Sequence, residues 1–180
     1  CTLPIDRERS TVAQRLAAIR IQGQPLVAVN PVARWETKLW HEQRFAELAD
    51  RLIREKNAVV LVTGGPEDRP VIGRILSMMG EKALNWAGET SLKELAALAS
   101  FADLFITTDT GPMHLAAAAG ARVLALFGPT APWRTGPYGP SHSVVRASED
   151  CSPCFQRTCS RDVVCMSDIT VEDVMKRVPF

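Results

Sequence analysis

The sequence predicts an α/β fold in which a Rossmann-like parallel sheet carries helices on both faces. Short apolar runs rich in β-branched residues alternate with longer stretches of helical periodicity, which is typical of such sheets. The apolar runs are nearly continuous, as expected for strands buried on both faces. Several end in turn-forming residues, and open α/β sheets bind ligands at the carboxyl ends of their strands.

One domain is expected, because 180 residues can bury one substantial core but are few for two. Residues 1–25 are predicted to form a leading helix and a linker, and residues 26–147 the α/β core. Residues 148–180 are predicted to be a cysteine-rich tail that ends in a helix and wraps the domain as an appendage.

Strands and helices are predicted to alternate along the core. Strands are expected at residues 26–30, 58–63, 84–86, 104–107, 123–127 and 143–145. Helices are expected at residues 7–21, 41–55, 67–79, 91–100, 113–119 and 171–178. The helix at 41–55 illustrates the criterion, because its spacing places Phe45, Leu48 and Leu52 on one face. Turn residues follow four strands, at positions 30–31, 64–66, 109–112 and 128–130.

Charge and hydropathy exclude some classes of function. The formal net charge is +1 and no run of like charges stands out, so the sequence gives no electrostatic reason to expect nucleic acid as a partner. No apolar stretch approaches the roughly 20 residues that cross a bilayer. The chain begins with Cys1 and shows no secretory leader, so we expect it to be cut from a longer protein.

The strongest local signal is the segment from Asp109 to His114, which follows the fourth predicted strand. Pro112 suits the first position of a helix, and Asp109 or Thr110 can cap it. The free N–H groups of Gly111 and its neighbours, with the positive helix end, would then form an anion site to which His114 could donate. The alternative is a well-capped structural helix with an incidental histidine.

Two charged residues in other turns are candidates for the same edge of the sheet. Lys38 follows the first strand and could neutralise a diphosphate, although a solvated loop lysine beside a core-anchoring Trp40 is the alternative. Glu67 follows the second strand, where an acidic residue binds ribose hydroxyls in many nucleotide folds. Its alternative role is to favour the dipole of the next helix.

Common phosphate-binding and metal-binding motifs are missing from the sequence. It contains no G-x-x-x-x-G-K-[ST], no G-x-G-x-x-G and no Asp-x-Asp pair, which disfavours phosphate-cleaving motors and the commonest dinucleotide-binding proteins. Stabilisation of a leaving group would therefore depend on a lysine, a histidine and a helix end.

The tail concentrates four thiols in a short stretch. Cys151 and Cys154 are spaced C-x-x-C, and Cys159 and Cys165 follow. This set suggests a structural zinc site or iron–sulfur ligands, but the second pair is wider than in the usual zinc pattern. Disulfides and reduced buried thiols are the alternatives. No cysteine is expected at the predicted phosphate site.

Taken in order, the motifs resemble the C-terminal domain of the heptosyltransferase family, glycosyltransferase family nine, whose members have the two-domain GT-B fold. The resemblance runs from about Leu26 to the end of the chain. Its landmarks are Asn30-Pro31, Lys38-Leu39-Trp40, the segments 62–67, 87–88 and 91–92, Asp109 to His114, the segment 125–130, and Cys151-Ser152-Pro153-Cys154.

The resemblance implies inverting transfer of heptose from ADP-heptose to the lipopolysaccharide inner core, without a cofactor. It places the enzyme in the cytoplasm, in peripheral contact with the inner face of a Gram-negative inner membrane. It also implies that Lys38 contacts the diphosphate, Glu67 the ribose, and that Thr90 lies beside the adenine. Asp109, Thr110, Gly111 and His114 would surround the phosphates and the donor sugar, with Lys38 and His114 serving catalysis.

One departure from the family pattern affects the phosphate contacts. The family often has a Ser or Thr pair before the lysine, and here Ala33 and Arg34 take those places; Arg34 could supply the contact by charge. The acceptor and the general base are expected on an N-terminal domain outside this chain. We therefore expect the 180 residues alone to bind nucleotide weakly and to transfer nothing.

Two alternatives to this function remain open on the sequence. Another GT-B nucleotide-sugar transferase or a related epimerase would keep the fold and the edge site but change the nucleotide and the sugar. A non-enzymatic α/β module with a metal-binding cysteine tail is the other.

Overall fold

The computed structural model describes residues 3–19, 23–162 and 164–180, and its centre is a six-stranded parallel sheet. The strands lie in the order β3-β2-β1-β4-β5-β6, an order typical of dinucleotide-binding folds. The predicted α/β Rossmann-like class is thus confirmed. The strand bounds are β1 Leu26–Asn30, β2 Val59–Val62, β3 Leu84–Asn85, β4 Leu104–Thr108, β5 Val123–Phe127 and β6 Ser143–Arg146.

Eight α-helices are found in the described ranges. Their bounds are α1 Asp6–Ala17, α2 Glu42–Lys56, α3 Arg69–Ser77, α4 Leu92–Phe101, α5 Gly111–Ala118, α6 Pro132–Thr135, α7 Val164–Asp168 and α8 Val171–Met175. Two short 3₁₀ turns, Glu36–Lys38 and Pro66–Asp68, precede α2 and α3. Within the described ranges, every helix is too short or too polar to span a bilayer.

The helix predictions differ from the structure at a few boundaries. The predicted helix at 67–79 begins as the 3₁₀ turn Pro66–Asp68, because Pro70 lacks the N–H that an earlier α-helical start would use. The α-helix that follows ends at Ser77. Helices α6 and α7 were not predicted. The first helix is predicted to run to position 21 but ends at Ala17. Positions 20–22 lie outside the described residues, as does Cys1.

Helices pack on both faces of the sheet. One core cluster joins α2, α3 and the C-terminal helices to one face, and a second joins α1, α4 and α5 to the other. Strands β1, β4 and β5 are buried along their whole length, as their continuous apolar sequences predicted.

The C-terminal tail is part of the core, which corrects the expectation of an appendage. Met166, Ile169 and Val174 are almost fully buried. The indole nitrogen of Trp40 donates a hydrogen bond to the Ile169 carbonyl at 2.9 Å, and Trp40 also packs edge-on against Phe45. The weak strand pattern of the tail concealed short helices that bury few but large apolar side chains.

The strand order creates a crevice at the carboxyl edge. Strands β1 and β4 are neighbours, and from this point the chain proceeds to opposite sides of the sheet. The loops after β1 and β4 therefore diverge, and ligands of open α/β sheets bind where such loops separate.

Candidate functional site

A cleft of about 360 Å³ opens at this point of the carboxyl edge. Loops that follow β1, β4 and β5, together with the cysteine-rich segment, supply its walls. The lining residues are Trp35, Lys38, Asp109, Thr110, Gly111, His114, Thr130, Arg134, Thr135 and Phe155. The structure thus brings five of the predicted site residues into one cleft, namely Lys38, Asp109, Thr110, Gly111 and His114.

A buried ion pair forms the floor of the cleft. The Lys38 Nζ donates to Asp109 Oδ2 at 2.7 Å and to the Asp109 carbonyl at 3.2 Å. The side chains are only 15% and 6% exposed, respectively. The ammonium also lies 4.3 Å from the centre of the Trp35 ring, where the ring face attracts a cation. Because an ammonium has three N–H donors, one remains for a ligand after the two bonds to Asp109.

Helix α5 points its N-terminus into the same cleft. It begins at Gly111, so Pro112 occupies the second helical position, one later than predicted. Thr110 holds the N-cap position, but neither its side chain nor that of Asp109 caps the helix, which corrects the capping prediction. The Asp109 carboxylate is held by Lys38 instead. The backbone N–H groups of the first turn are therefore free of a side-chain acceptor, and His114 lies exposed on that turn.

Three buried oxygens at this edge lack hydrogen-bond partners. In the described part of the chain, these are Asn30 Oδ1, Thr108 Oγ1 and Thr130 Oγ1. Asn30 ends β1 and Thr108 ends β4, while Thr130 follows β5 by three residues. Buried polar atoms are normally paired, so an unpaired group at each of the three central strands marks the place where a polar ligand would bind.

Three predicted site residues lie elsewhere along the edge. Arg34 is exposed and is not part of the cleft lining. Glu67 and Thr90 follow β2 and β3, on the other side of β1. The Glu67 carboxylate folds over Gly65, because a Cβ at that glycine would lie 2.6 Å from its Oε2.

The turns after β2 and β3 are held together by backbone contacts. The Gly88 N–H donates to the Gly64 carbonyl at 2.8 Å, and Gly88 has a φ of +67°, which favours glycine. The Arg69 guanidinium donates to the carbonyls of Ala87 and Gly88 at 3.1 and 3.2 Å. On the outer side, Arg15 pairs with Glu89 at 2.7 Å. This part of the edge is shaped by exposed groups.

Five lining residues were not predicted from the sequence: Trp35, Thr130, Arg134, Thr135 and Phe155. The sequence predicts a turn at Gly128-Pro129-Thr130 after a strand, and its place at the ligand edge of the sheet points to Thr130 as a candidate for ligand contact. Arg134 and Thr135 lie on α6, a four-residue helix too short to show periodicity. Phe155 comes from the cysteine-rich tail, which the sequence predicts to wrap the domain as an appendage.

The cysteine-rich segment bridges two walls of the cleft. The Ser152 hydroxyl donates to the Gly128 carbonyl at 2.5 Å, and the Phe155 N–H donates to the Pro129 carbonyl at 2.8 Å. On the opposite wall, the Thr37 hydroxyl donates to the Gln156 carbonyl at 2.8 Å. The segment therefore ties the loop that carries Lys38 to the loop that follows β5.

The four predicted metal ligands lie near one another without forming a metal site. Burial raises the pKa of the Cys165 thiol, and the thiols of Cys154, Cys151 and Cys159 raise it further by charge repulsion. All four are free thiols. Among the described residues, no group of three or more potential ligands is arranged to hold a metal ion.

Known proteins are similar to this chain in both sequence and fold. The sequence pattern of the family described as glycosyltransferase family 9 (heptosyltransferase) matches residues 2–164. A lipooligosaccharide heptosyltransferase 2 of Campylobacter jejuni is 32% identical over 160 residues, which cover 86% of this chain and 50% of that protein.

Two solved structures of this kind superpose closely. They are a family 9 glycosyl transferase of Veillonella parvula, with a TM-score of 0.84, and the ADP-heptose lps heptosyltransferase II of E. coli, with a TM-score of 0.78. Each is 26% identical to this chain, and each match covers 97% of this chain and 51% of the other. The chain thus spans about half the length of the relatives it matches.

Proposed function

Because this chain belongs to glycosyltransferase family 9, the heptosyltransferases, we propose that it is the donor-binding, C-terminal half of a GT-B enzyme. Its cleft would bind the diphosphate of ADP-heptose for transfer of heptose to the lipopolysaccharide inner core. The observation that carries the proposal is the position of Lys38, which shares the cleft with the N-terminus of α5.

The cleft has the chemistry of a metal-independent diphosphate site. Lys38 retains one N–H donor beyond its bonds to Asp109. Pro112 has no N–H, and the Met113 N–H donates to the Thr110 carbonyl at 3.2 Å. The first turn of α5 therefore offers the Gly111 N–H, without a side-chain cap, and the helix dipole to an anion. His114 on that turn would donate to a phosphate oxygen. These groups would take the place of the divalent metal that an Asp-x-Asp motif holds in other transferases.

The nucleoside would extend along the edge toward β2 and β3. Glu67 would accept hydrogen bonds from the ribose hydroxyls, and Thr90 would lie beside the adenine. Both residues follow strands that continue the edge away from the diphosphate cleft. The similar heptosyltransferase II of E. coli is named for ADP-heptose, which supports adenine as the base and heptose as the sugar.

The reaction would be an inverting displacement at the anomeric carbon. The acceptor oxygen forms a bond to that carbon while the bond to the β-phosphate oxygen breaks, and the electron pair leaves with ADP. A base removes the proton of the acceptor hydroxyl. Lys38, His114 and the end of α5 stabilise the charge that develops on the departing ADP.

The remaining parts of the enzyme are assigned to a second domain. No carboxylate in the cleft other than Asp109 is present among the described residues, and Asp109 is neutralised by Lys38. We therefore place the general base and the acceptor site on an N-terminal domain, and the whole enzyme in peripheral contact with the inner face of the inner membrane. On this proposal, the isolated chain binds ADP weakly and transfers no heptose.

A nucleotide panel tests the base. Calorimetric titration of the chain with ADP, UDP and GDP is expected to give the tightest binding for ADP. A preference for UDP would show that the cleft belongs to a transferase or epimerase of other specificity. Incubation with ADP-heptose and a lipopolysaccharide acceptor is expected to release no ADP, and release by this chain alone would contradict the two-domain assignment.

Substitutions in the cleft test the diphosphate site. Lys38→Ala and His114→Ala are each expected to weaken ADP binding, by roughly tenfold or more for the lysine because it makes a charge-assisted contact. Arg122→Ala is a matched control, since Arg122 precedes β5 at the opposite edge of the sheet. If neither cleft variant weakens ADP binding, the proposed diphosphate site is wrong.

We propose separately that the thiols of Cys151, Cys154, Cys159 and Cys165 bind a structural zinc ion or an iron–sulfur cluster, outside the transfer chemistry. The support is chemical, because thiolates suit these metals and the other three thiols lie close enough to Cys165 to raise its pKa by charge repulsion. Binding would require the tail to draw the thiols together. Elemental analysis of anaerobically purified protein tests this, and protein without zinc or iron would end the proposal.

A further inference from the structure

The proposed cleft has a charge deficit if Lys38 is its main cation. Each phosphate of an ADP-sugar carries a negative charge, and the departing ADP carries more. The Lys38 charge is already balanced by Asp109 at 2.7 Å, and this pair is nearly buried. A neutral pair and a helix end leave much of the diphosphate charge without a counter-charge. The cleft contains one more full cation, Arg134.

Arg134 is positioned over the cleft without an acidic partner. Its guanidinium lies 5.0 Å from the centre of the Phe155 ring, and both residues line the cleft. In the described ranges it forms no ion pair. The ring face attracts the guanidinium, and among the described residues the guanidinium makes no hydrogen bond. A guanidinium presents its N–H donors in a planar fork that fits two oxygens of a phosphate.

Thr130, in the loop before α6, supplies a second, independent observation. Its side chain lines the cleft, is 3% exposed, and its Oγ1 has no hydrogen-bond partner among the described residues. A buried hydroxyl without a partner is costly. A phosphate oxygen in the cleft would accept a hydrogen bond from the hydroxyl and remove that cost.

From these observations we infer that Thr130 and Arg134 form the second wall of the diphosphate site, opposite Lys38 and α5. The inference rests on the proposed function and adds two residues to it. Arg134 and Thr130 both donate hydrogen bonds to oxygens of the diphosphate, which departs with the nucleotide. Phe155 is a positioning residue that orients the guanidinium.

The contribution of Arg34 is then unnecessary. It is exposed and lies outside the cleft lining, and the neighbouring Ala33 has no polar side-chain atom. The β5–α6 loop supplies the Thr130 hydroxyl, and α6 supplies the charge of Arg134. The loop backbone is held by the hydrogen bonds from Ser152 and Phe155 to the Gly128 and Pro129 carbonyls, which keeps Thr130 at the cleft.

Binding of ADP and of inorganic pyrophosphate, measured by calorimetry over a range of salt concentrations, tests the inference. Arg134→Ala is expected to weaken both ligands by about tenfold and to reduce the salt dependence, because one charged contact is lost. Thr130→Val is expected to weaken both by about fivefold. Arg134→Lys keeps the charge but not the fork, and should lose less than the alanine variant.

Stability measurements separate binding from structure. Because the Thr130 hydroxyl has no hydrogen-bond partner among the described residues, Thr130→Val is expected to leave urea unfolding unchanged or to stabilise the fold. Arg122→Ala is the control for loss of one positive charge away from the cleft. A Thr130 variant that unfolds more easily and binds normally would assign the hydroxyl a structural role instead.

The outcomes distinguish this inference from the proposed function. If wild-type protein binds ADP and the variants bind it equally well, the second wall is wrong while the donor site stands. If wild-type protein binds pyrophosphate in an Arg134-dependent way but does not bind ADP, the second wall stands and the ADP assignment fails. Binding of neither ligand overturns both.

Discussion

The two halves of the carboxyl edge are built differently. Around β1, β4 and β5, the edge contains a nearly buried ion pair and buried oxygens without partners. Around β2 and β3, it consists of tight glycine turns, with Glu67 exposed and Thr90 half-buried. On the proposed function, the first half holds the phosphates and the second half the nucleoside.

The difference indicates where folding energy is committed to binding. Buried unpaired groups and buried charges destabilise a protein unless something compensates them, so the phosphate half is prepared for a charged ligand at some cost to stability. The nucleoside half stores no such cost, because Glu67 is exposed and Thr90 half-buried. Loss of one member of the nearly buried ion pair in the phosphate half should therefore affect folding and binding, whereas changes to the exposed Glu67 in the nucleoside half should affect binding alone.

The largest effect is expected for Asp109→Ala. This change leaves the Lys38 ammonium in a nearly buried position without its partner, and loss of one member of a buried pair costs about 3 kcal/mol or more. Urea unfolding followed by circular dichroism measures it. Glu67→Ala is the matched control in the other half and should stay within about 0.5 kcal/mol of wild type. Equal losses in the two variants would remove the distinction between the halves.

A smaller effect, on binding alone, is expected for Glu67→Gln. The substitution keeps the shape but weakens hydrogen bonds from ribose hydroxyls, which should lower ADP affinity about fivefold. Pyrophosphate has no ribose, so its affinity should not change. If both ligands lose affinity to the same degree, Glu67 acts on the phosphates and the nucleoside half is misassigned.

Arg69→Ala tests how the nucleoside half keeps its shape. Loss of the two hydrogen bonds to the Ala87 and Gly88 carbonyls should cost about 1 kcal/mol or less, because the arginine is exposed. Faster amide exchange is expected in residues 86–90, measured by hydrogen–deuterium exchange. Exchange around β4 and α5 should stay as in wild type. A change that spreads to α5 would mean that the two halves open together.

The smallest effect is expected for Thr135→Val, although Thr135 lies in the phosphate half. Its hydroxyl is 3.4 Å from Asp109 Oδ2 and 3.4 Å from the Ala131 carbonyl, and both distances are long for hydrogen bonds between oxygens. Urea unfolding should change by less than about 0.5 kcal/mol. A larger loss would show that Lys38 alone does not hold the Asp109 carboxylate.

Much of the fold was predictable because its strands are short apolar runs with clear ends. The bounds of β1 and β5 agree with prediction at both ends, since Asn30-Pro31 and Gly128-Pro129 interrupt the pattern. The part of the cleft from Asp109 to His114 was also predictable, because a turn after a buried strand and before a helix has a recognisable sequence.

The second wall of the cleft could not be predicted, because it depends on contacts between distant segments. Arg134 and Phe155 are 21 positions apart, and neither has a local pattern that points to a ligand. Their proximity follows from the hydrogen bond between the Phe155 N–H and the Pro129 carbonyl. The side-chain capping of α5 was wrong for a similar reason: a lysine from another loop binds the Asp109 carboxylate, so the helix start stays open.

The Lys38–Asp109 pair also bears on how a nucleotide leaves. An isolated ammonium in a nearly buried cleft would hold a polyanion tightly and would have to regain its hydration when the anion departs. Here the Asp109 carboxylate lies 2.7 Å from the Lys38 ammonium and balances its charge again when the product leaves. Lys38 thus regains its counter-charge without an ion from solution, so its part in product escape should depend less on the ionic strength of the medium than that of Arg134, which has no acidic partner among the described residues.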